Sequence, residues 1–255
     1  MVEILRYMYI LANWKNKLSS ESSKSLANDI YSHLVHKYLN IKIVIFPDDI
    51  SLLGVKSILD SLSIVKIGAQ DGPLDKTSSL TGSISAPNLS NVCDYVLLGH
   101  SERRIQLGET NEMVALKASV AIELGLVPVI CVTKGTGTAL DPYSEIKAQL
   151  ESIQDHIRRQ GEYLIAYEPI DAIGTGISGD PQEIKNTAET IRKMLSRLQG
   201  SSDIPVLYGG SVNAKNVNSF LSLEGIDGVL VGGESLNVDS FLKIVQKASD
   251  TQHLR

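Results

Sequence analysis

Apolar positions along the chain gather into eight short runs of strand length: "YMYILA" from 7, "IKIVIF" from 41, "SIVKIG" from 63, "DYVLL" from 94, "LVPVICV" from 126, "YLIAY" from 163, "IPVLY" from 204 and "DGVLV" from 227. Most are aliphatic on both alternating positions, the pattern of strands covered on two faces, as in parallel sheets. Between them the apolar period lengthens to that of helices, as in "NEMVALKASVAIEL" from 111, "DPYSEIKAQLESIQDHIRRQ" from 141 and "PQEIKNTAETIRKMLSRL" from 181. Asn111 and the pair Asp180-Pro181 suit helix starts. Eight such strand–helix units without a linker or a break in composition predict an α/β protein with one domain over residues 1–255, a closed (β/α)8 barrel. A doubly wound open sheet is the alternative. In either architecture ligands sit at the carboxyl ends of the strands.

The strand ends carry chemistry. Asn13 and Lys15 follow the first run, Gly99, His100 and "SERR" the fourth, Glu168 the sixth, "GGSV" with Ser211 the seventh, and Gly232-Gly233 the eighth. Each has a plainer role by itself: a glutamate more often caps a helix or pairs with a cation, a histidine is usually a satisfied loop residue, and glycines serve tight packing. Barrel folding requires none of them on one rim, so their coincidence there points to a site. Glycine turns after the last two strands let backbone N–H groups face an anion, and Ser211 adds a hydroxyl. The favoured ligand is a small phosphorylated molecule.

Composition narrows the classes. Hydrophobic residues at 43% and charged residues at 21% are those of an ordinary soluble protein able to bury a core. A net charge of -5 argues against nucleic acid as a partner, which would need a basic face. Cys93 and Cys131 stand far apart and outside any C-x-x-C pair, so they read as core thiols rather than a disulfide or zinc ligands. The start "MVEILRYMYILANWK" lacks a signal-peptide pattern, and no run reaches the roughly 18 apolar residues of a membrane span. A cytoplasmic protein with no membrane partner is expected.

With these residues in place the chain resembles the triosephosphate isomerase family along nearly its whole length. The matches are "ANWK" at 12, "GAQ" at 68, "LTG" at 80, "LGHSERR" at 98, "GET" at 108, "AYEP" at 166, "AIGTG" at 172, "YGGSV" at 208 and "LVGGESL" at 230. The resemblance implies the TIM barrel fold and interconversion of dihydroxyacetone phosphate and glyceraldehyde 3-phosphate in glycolysis and gluconeogenesis. In that reading Glu168 is the base, neutral His100 the electrophile, and Lys15 and Asn13 stabilise the enediolate. Glu102 partners Lys15, and Gly174, Ser211, Gly232 and Gly233 hold the phosphate. Pro169, Ile170, Asp171, Ala172, Ile173, Gly174, Thr175 and Gly176 belong to a lid that excludes water. No metal and no cofactor are implied, since the proton only changes carbon. A homodimer is implied, made by a loop of about residues 70 to 86 that includes Thr81.

Departures cluster at the rim. Asp171 stands where the family has tryptophan, Ile177 where it has lysine, Thr133-Lys134 in place of glycine-glutamate, Ser83 in place of a glutamate, and Asp71 in place of an asparagine. They keep two alternatives open: a paralogue isomerising a four-carbon ketose phosphate, and a barrel that binds a phosphometabolite without turnover. The second conflicts with the joint presence of Asn13, Lys15, His100 and Glu168, which binding alone does not need.

Overall fold

The structure, a computed structural model, describes residues 7–34, 40–77, 80–135, 141–157, 161–170, 178–199 and 203–252. Strands and helices alternate: β1 (Met8–Asn13), α1 (Ser20–Leu34), β2 (Ile41–Phe46), α2 (Leu52–Leu59), β3 (Val65–Ala69), α3 (Ala86–Val92), β4 (Tyr95–Leu98), α4 (Ser101–Leu107), α5 (Asn111–Glu123) and β5 (Val127–Lys134). They continue with α6 (Pro142–Ile157), β6 (Leu164–Pro169), α7 (Pro181–Gln199), β7 (Val206–Tyr208), α8 (Val217–Leu221), β8 (Gly228–Val231) and α9 (Val238–Gln252). Each strand pairs in parallel with the next, and β8 returns to β1 through Tyr9↔Gly228 to Ala12↔Val231, closing the barrel. The expected (β/α)8 barrel is what forms; the open sheet is ruled out by that last pairing.

Two-faced burial explains the apolar runs. Along each strand one set of alternating side chains points inward, and Tyr9, Leu11, Val44, Phe46, Tyr95, Leu97, Val129, Cys131, Leu164, Ala166, Leu207 and Leu230 fill the barrel interior as one cluster. The other set meets the helices in a larger cluster. Helical spacing supplies the facing stripe: Ile146, Leu150, Ile153 and Ile157 on α6, and Ile184, Ala188, Ile191 and Leu195 on α7, are all buried. Burying each Leu or Ile contributes roughly 1.5–3 kcal/mol. Helix starts are capped locally. On α5 the cap is Thr110, whose hydroxyl accepts from the Met113 amide, so Asn111 is the first helical residue rather than the cap. Pro181 opens α7, with Asp180 supplying the carbonyl for the Ile184 amide. Cys93 and Cys131 are buried free thiols.

Two glycines make the interior fit. A Cβ on Gly68 would lie 2.2 Å from the Phe46 ring, so its absence gives that ring its place between β2 and β3. A Cβ on Gly228 would lie 2.1 Å from the carbonyl oxygen of Tyr9, in the backbone of the strand across the closing seam. Backbone cannot rotate aside as a side-chain tip can. Gly228→Ala is therefore expected to cost at least ~2 kcal/mol, visible as a lower urea midpoint; an unchanged midpoint would contradict the close approach at the seam.

Candidate active site

The inward rows of the barrel continue past its apolar filling into polar residues at one end. On β1 the row Tyr9–Leu11 leads to Asn13; on β6 the row Leu164–Ala166 leads to Glu168. After β4 comes Gly99 in the left-handed region at φ 67°, which turns the chain so that His100 becomes the cap of α4. Period-2 alternation thus delivers the carboxylate and the amide to the same open rim.

Glu168 is only 2% exposed. Its carboxylate is held by the β4–α4 corner: Oε2 accepts from the Ser101 amide at 3.0 Å, and Oε1 lies 3.2 Å from His100 Nε2. The His100 ring is fixed at both nitrogens, because Nδ1 accepts from the Glu102 amide at 3.3 Å. The Glu102 carboxylate lies farther from Nδ1, at 3.7 Å. Gly209, after β7, leaves the space Glu168 occupies: a Cβ there would come within 3.0 Å of the Glu168 Cγ. Burial, then the charge of Glu168, pushes the Cys131 thiol well up, so it remains a thiol beside the carboxylate.

Lys15 sits at φ 51°, the left-handed region that costs a side-chain-bearing residue about 1–2 kcal/mol. Three contacts hold it there. Asn13 Oδ1 accepts from the Lys15 amide at 3.0 Å, and Gln70 Nε2 donates to the carbonyls of Lys15 and Phe46 at 2.9 and 3.0 Å. The Lys15 ammonium donates to Glu102 Oε1 at 2.7 Å. Burial opposes ionisation of Glu102, but the hydrogen bond and charge of Lys15 outweigh it and hold the carboxyl below its ordinary value.

These groups share one cavity of about 240 Å³, lined by Asn13, Lys15, His100 and Glu168 and, from the turns after β7 and β8, by Gly209, Gly210, Ser211, Gly232 and Gly233. That is smaller than pockets for drug-sized ligands and suits a molecule of a few carbons. Glu102 borders an adjoining hollow with Asn13, Lys15 and His100. Pro169 ends β6 and Ile170 follows it; Asp171, Ala172, Ile173, Gly174, Thr175, Gly176 and Ile177 lie outside the described residues, and with them the phosphate contact expected of Gly174. Thr81 is exposed and away from this cavity. No group of three or more His, Cys, Asp or Glu placed to hold a metal is found among the described residues.

Sequence reasoning passed over several residues that build the site. Gln70, the last residue of "GAQ", clamps the Lys15 turn from 55 positions away. Glu234, within "LVGGESL", lines the cavity beside the glycine pair; an acid directly after two glycines is its signal. Asp71 accepts from Lys117 Nζ at 2.7 Å and pairs with Arg103 at 2.6 Å, while Lys117 and Arg103 both also reach Glu109. Lys134 turns its ammonium to Glu183 on α7 and lines neither hollow. The Ser83 hydroxyl donates to the Leu80 carbonyl and closes a turn.

Such an arrangement can move a proton. A buried carboxylate, an imidazole nitrogen 3.2 Å from it and an ammonium on the same cavity are the kinds of group that take up a proton, meet an oxygen and stabilise negative charge.

Comparison with known proteins agrees with this chemistry. A family model described as triosephosphate isomerase matches residues 8–248. A triosephosphate isomerase of Dehalococcoides mccartyi strain 195 is 37% identical over 257 residues, covering 97% of this chain and 100% of that protein. Those of Rhodopirellula baltica and Aquifex aeolicus are 36% and 35% identical, covering 95% and 92% of this chain and 98% and 97% of theirs.

The Lys15–Glu102 pair gives a pH signature. A depressed folded-state value stabilises above the ordinary carboxyl value of 4.5 and is lost as pH falls through the lower folded value. Glu102→Gln is expected to destabilise the protein near neutrality, with the gap to the unaltered protein narrowing below pH 4.5 in thermal melts; a gap constant with pH would remove the ion pair from this role.

Proposed function

The chain belongs to the triosephosphate isomerase family, and from that premise we propose that it interconverts dihydroxyacetone phosphate and D-glyceraldehyde 3-phosphate with the rim residues in definite roles. Glu168 removes a proton from the carbon bearing the hydroxyl. The electron pair left behind forms the C1–C2 double bond as the carbonyl oxygen takes up negative charge, giving an enediolate. His100 donates its Nε2 proton to that oxygen and takes one from the neighbouring hydroxyl. Protonated Glu168 then returns its proton to the other carbon. Lys15 and Asn13 stabilise the oxyanion, and the turns carrying Ser211, Gly232 and Gly233 take the phosphate, with Gly174 reaching it from the lid of residues 169–176.

One observation carries this reading: His100 Nε2 and Glu168 Oε1 lie 3.2 Å apart on the cavity that Lys15 and Asn13 also line. A binding protein for phosphate would not need a buried carboxylate facing an imidazole N–H. Glu168→Asp shortens the base by about one methylene, so turnover is expected to fall about a hundredfold or more with the affinity for a phosphorylated inhibitor little changed. Turnover within a few-fold of the unaltered enzyme would take the base role from Glu168. A hundredfold preference for a four-carbon ketose phosphate, measured as kcat/KM side by side, would replace the triose as substrate.

The same reading extends to assembly. We propose a homodimer in which the loop of about residues 70 to 86, which includes Thr81, docks on a second copy. Ile50, Leu53, Leu74 and Leu80 are exposed, and Leu74 and Leu80 line a hollow together with Asp49, the neighbour of Ile50. Contiguous exposed aliphatic side chains favour a partner surface. Leu80→Asp is expected to shift the sedimenting species from dimer to monomer; a monomer before substitution would refute the docking. A cytoplasmic location remains part of the proposal; no helix among the described residues is long and apolar enough to cross a membrane.

A further inference from the structure

The cavity contains a charge that the proposed reaction does not use. Glu234 follows the glycine pair after β8, within the short 3-10 turn Gly233–Leu236, and it lines the same cavity as Gly232, Gly233 and Ser211. It is exposed, so its carboxylate is solvated rather than buried in a structural ion pair. Its Oε2 accepts from the Ser240 hydroxyl in the first turn of α9. Among the described residues no salt bridge to Glu234 is found, whereas the cavity's one lysine, Lys15, is already paired to Glu102.

Formal charge on the cavity walls therefore runs negative: Lys15 against Glu168 and Glu234, with Glu102 beside Lys15. A dianionic phosphate group at the glycine turns is attracted by backbone amides and by Lys15 and repelled by Glu234. No packing need explains an acid at this position, since the residue is exposed and its neighbour Gly233 has open space around it. We infer that Glu234 is a specificity-determining residue that weakens the hold on the phosphate group, and that Ser240 sets the strength of this effect by tethering the carboxylate toward α9. Relaxing the grip on a group that does not react trades affinity in the ground state for faster release, since binding shared equally by substrate and product does not speed the chemical step. The inference rests on the proposed phosphate role of the glycine turns.

The probe is inorganic phosphate as a competitive inhibitor of the full-length enzyme. Glu234→Gln keeps size and the Ser240 contact while removing the charge. At low ionic strength its inhibition constant for phosphate is expected to fall on the order of three- to tenfold, with KM falling in parallel, and the gain is expected to shrink as salt is added. Ser240→Ala, which frees the carboxylate, is expected to raise the inhibition constant. An unchanged or higher inhibition constant in Glu234→Gln at low salt overturns the inference, as does a change that salt leaves untouched, which would mark a purely structural effect. Failure of the underlying phosphate reading looks different: phosphate would then not compete with substrate in the unaltered enzyme at all.

Discussion

A carboxylate that is 2% exposed at the head of an apolar column must be met by polar partners or give up its charge, and Glu168 has the Ser101 amide donating to Oε2 and His100 Nε2 lying 3.2 Å from Oε1. Much else at the rim follows from that requirement. Both partners belong to the corner between β4 and α4, so the corner has to turn sharply, which the left-handed Gly99 allows. Nδ1 of the imidazole accepts from the Glu102 amide at the start of α4, which orients the ring. The space for the carboxylate exists because residue 209 is glycine.

α4 consequently works as a distributor. Five successive residues from the cap onward share four tasks: His100 and Ser101 meet Glu168, Glu102 holds Lys15, Arg103 reaches Asp71 and Glu109, and Arg104 donates to the carbonyls of Gly99 and Cys131 and to Asn111. The Arg103 contacts join a nearly buried Lys117, 4% exposed, so that two cations face two carboxylates. With Asp71 as the second acid this cluster is formally neutral. An asparagine, as the family pattern has there, would leave it one positive charge in excess, in surroundings where unpaired charge costs several kcal/mol. The departure at 71 thus has a local electrostatic account, and it anchors the base of the segment proposed to dock on a second copy.

The fold was legible because a closed parallel barrel imposes one pattern everywhere: strands apolar on both alternations, helices apolar on one stripe. All eight runs became strands, and β2 matches its run "IKIVIF" residue for residue. Ends were less legible, since "IPVLY" yields only Val206–Tyr208 and the cap of α5 lies one residue earlier than its helical pattern. At the site, residue types at strand ends could be read, since period-2 alternation carries them to the rim. Backbone shape could not. The left-handed Lys15 turn is held by Gln70, a residue with no local signature of that duty, and Glu234 looks like a helix-start acid until the cavity is seen around it.

The proposed isomerisation asks two different things of the groups at the rim, and the geometry separates them. His100 Nδ1 is held by the Glu102 amide, and Lys15 is held in its strained turn by Asn13, Gln70 and Glu102, so the groups proposed to meet the developing charge are preorganised. Glu168 is held differently: the Ser101 amide donates to Oε2, while Oε1 faces His100 Nε2 at 3.2 Å on the cavity that both residues line. The backbone thus fixes one oxygen of the carboxylate and leaves the other facing the imidazole with which it would share the substrate.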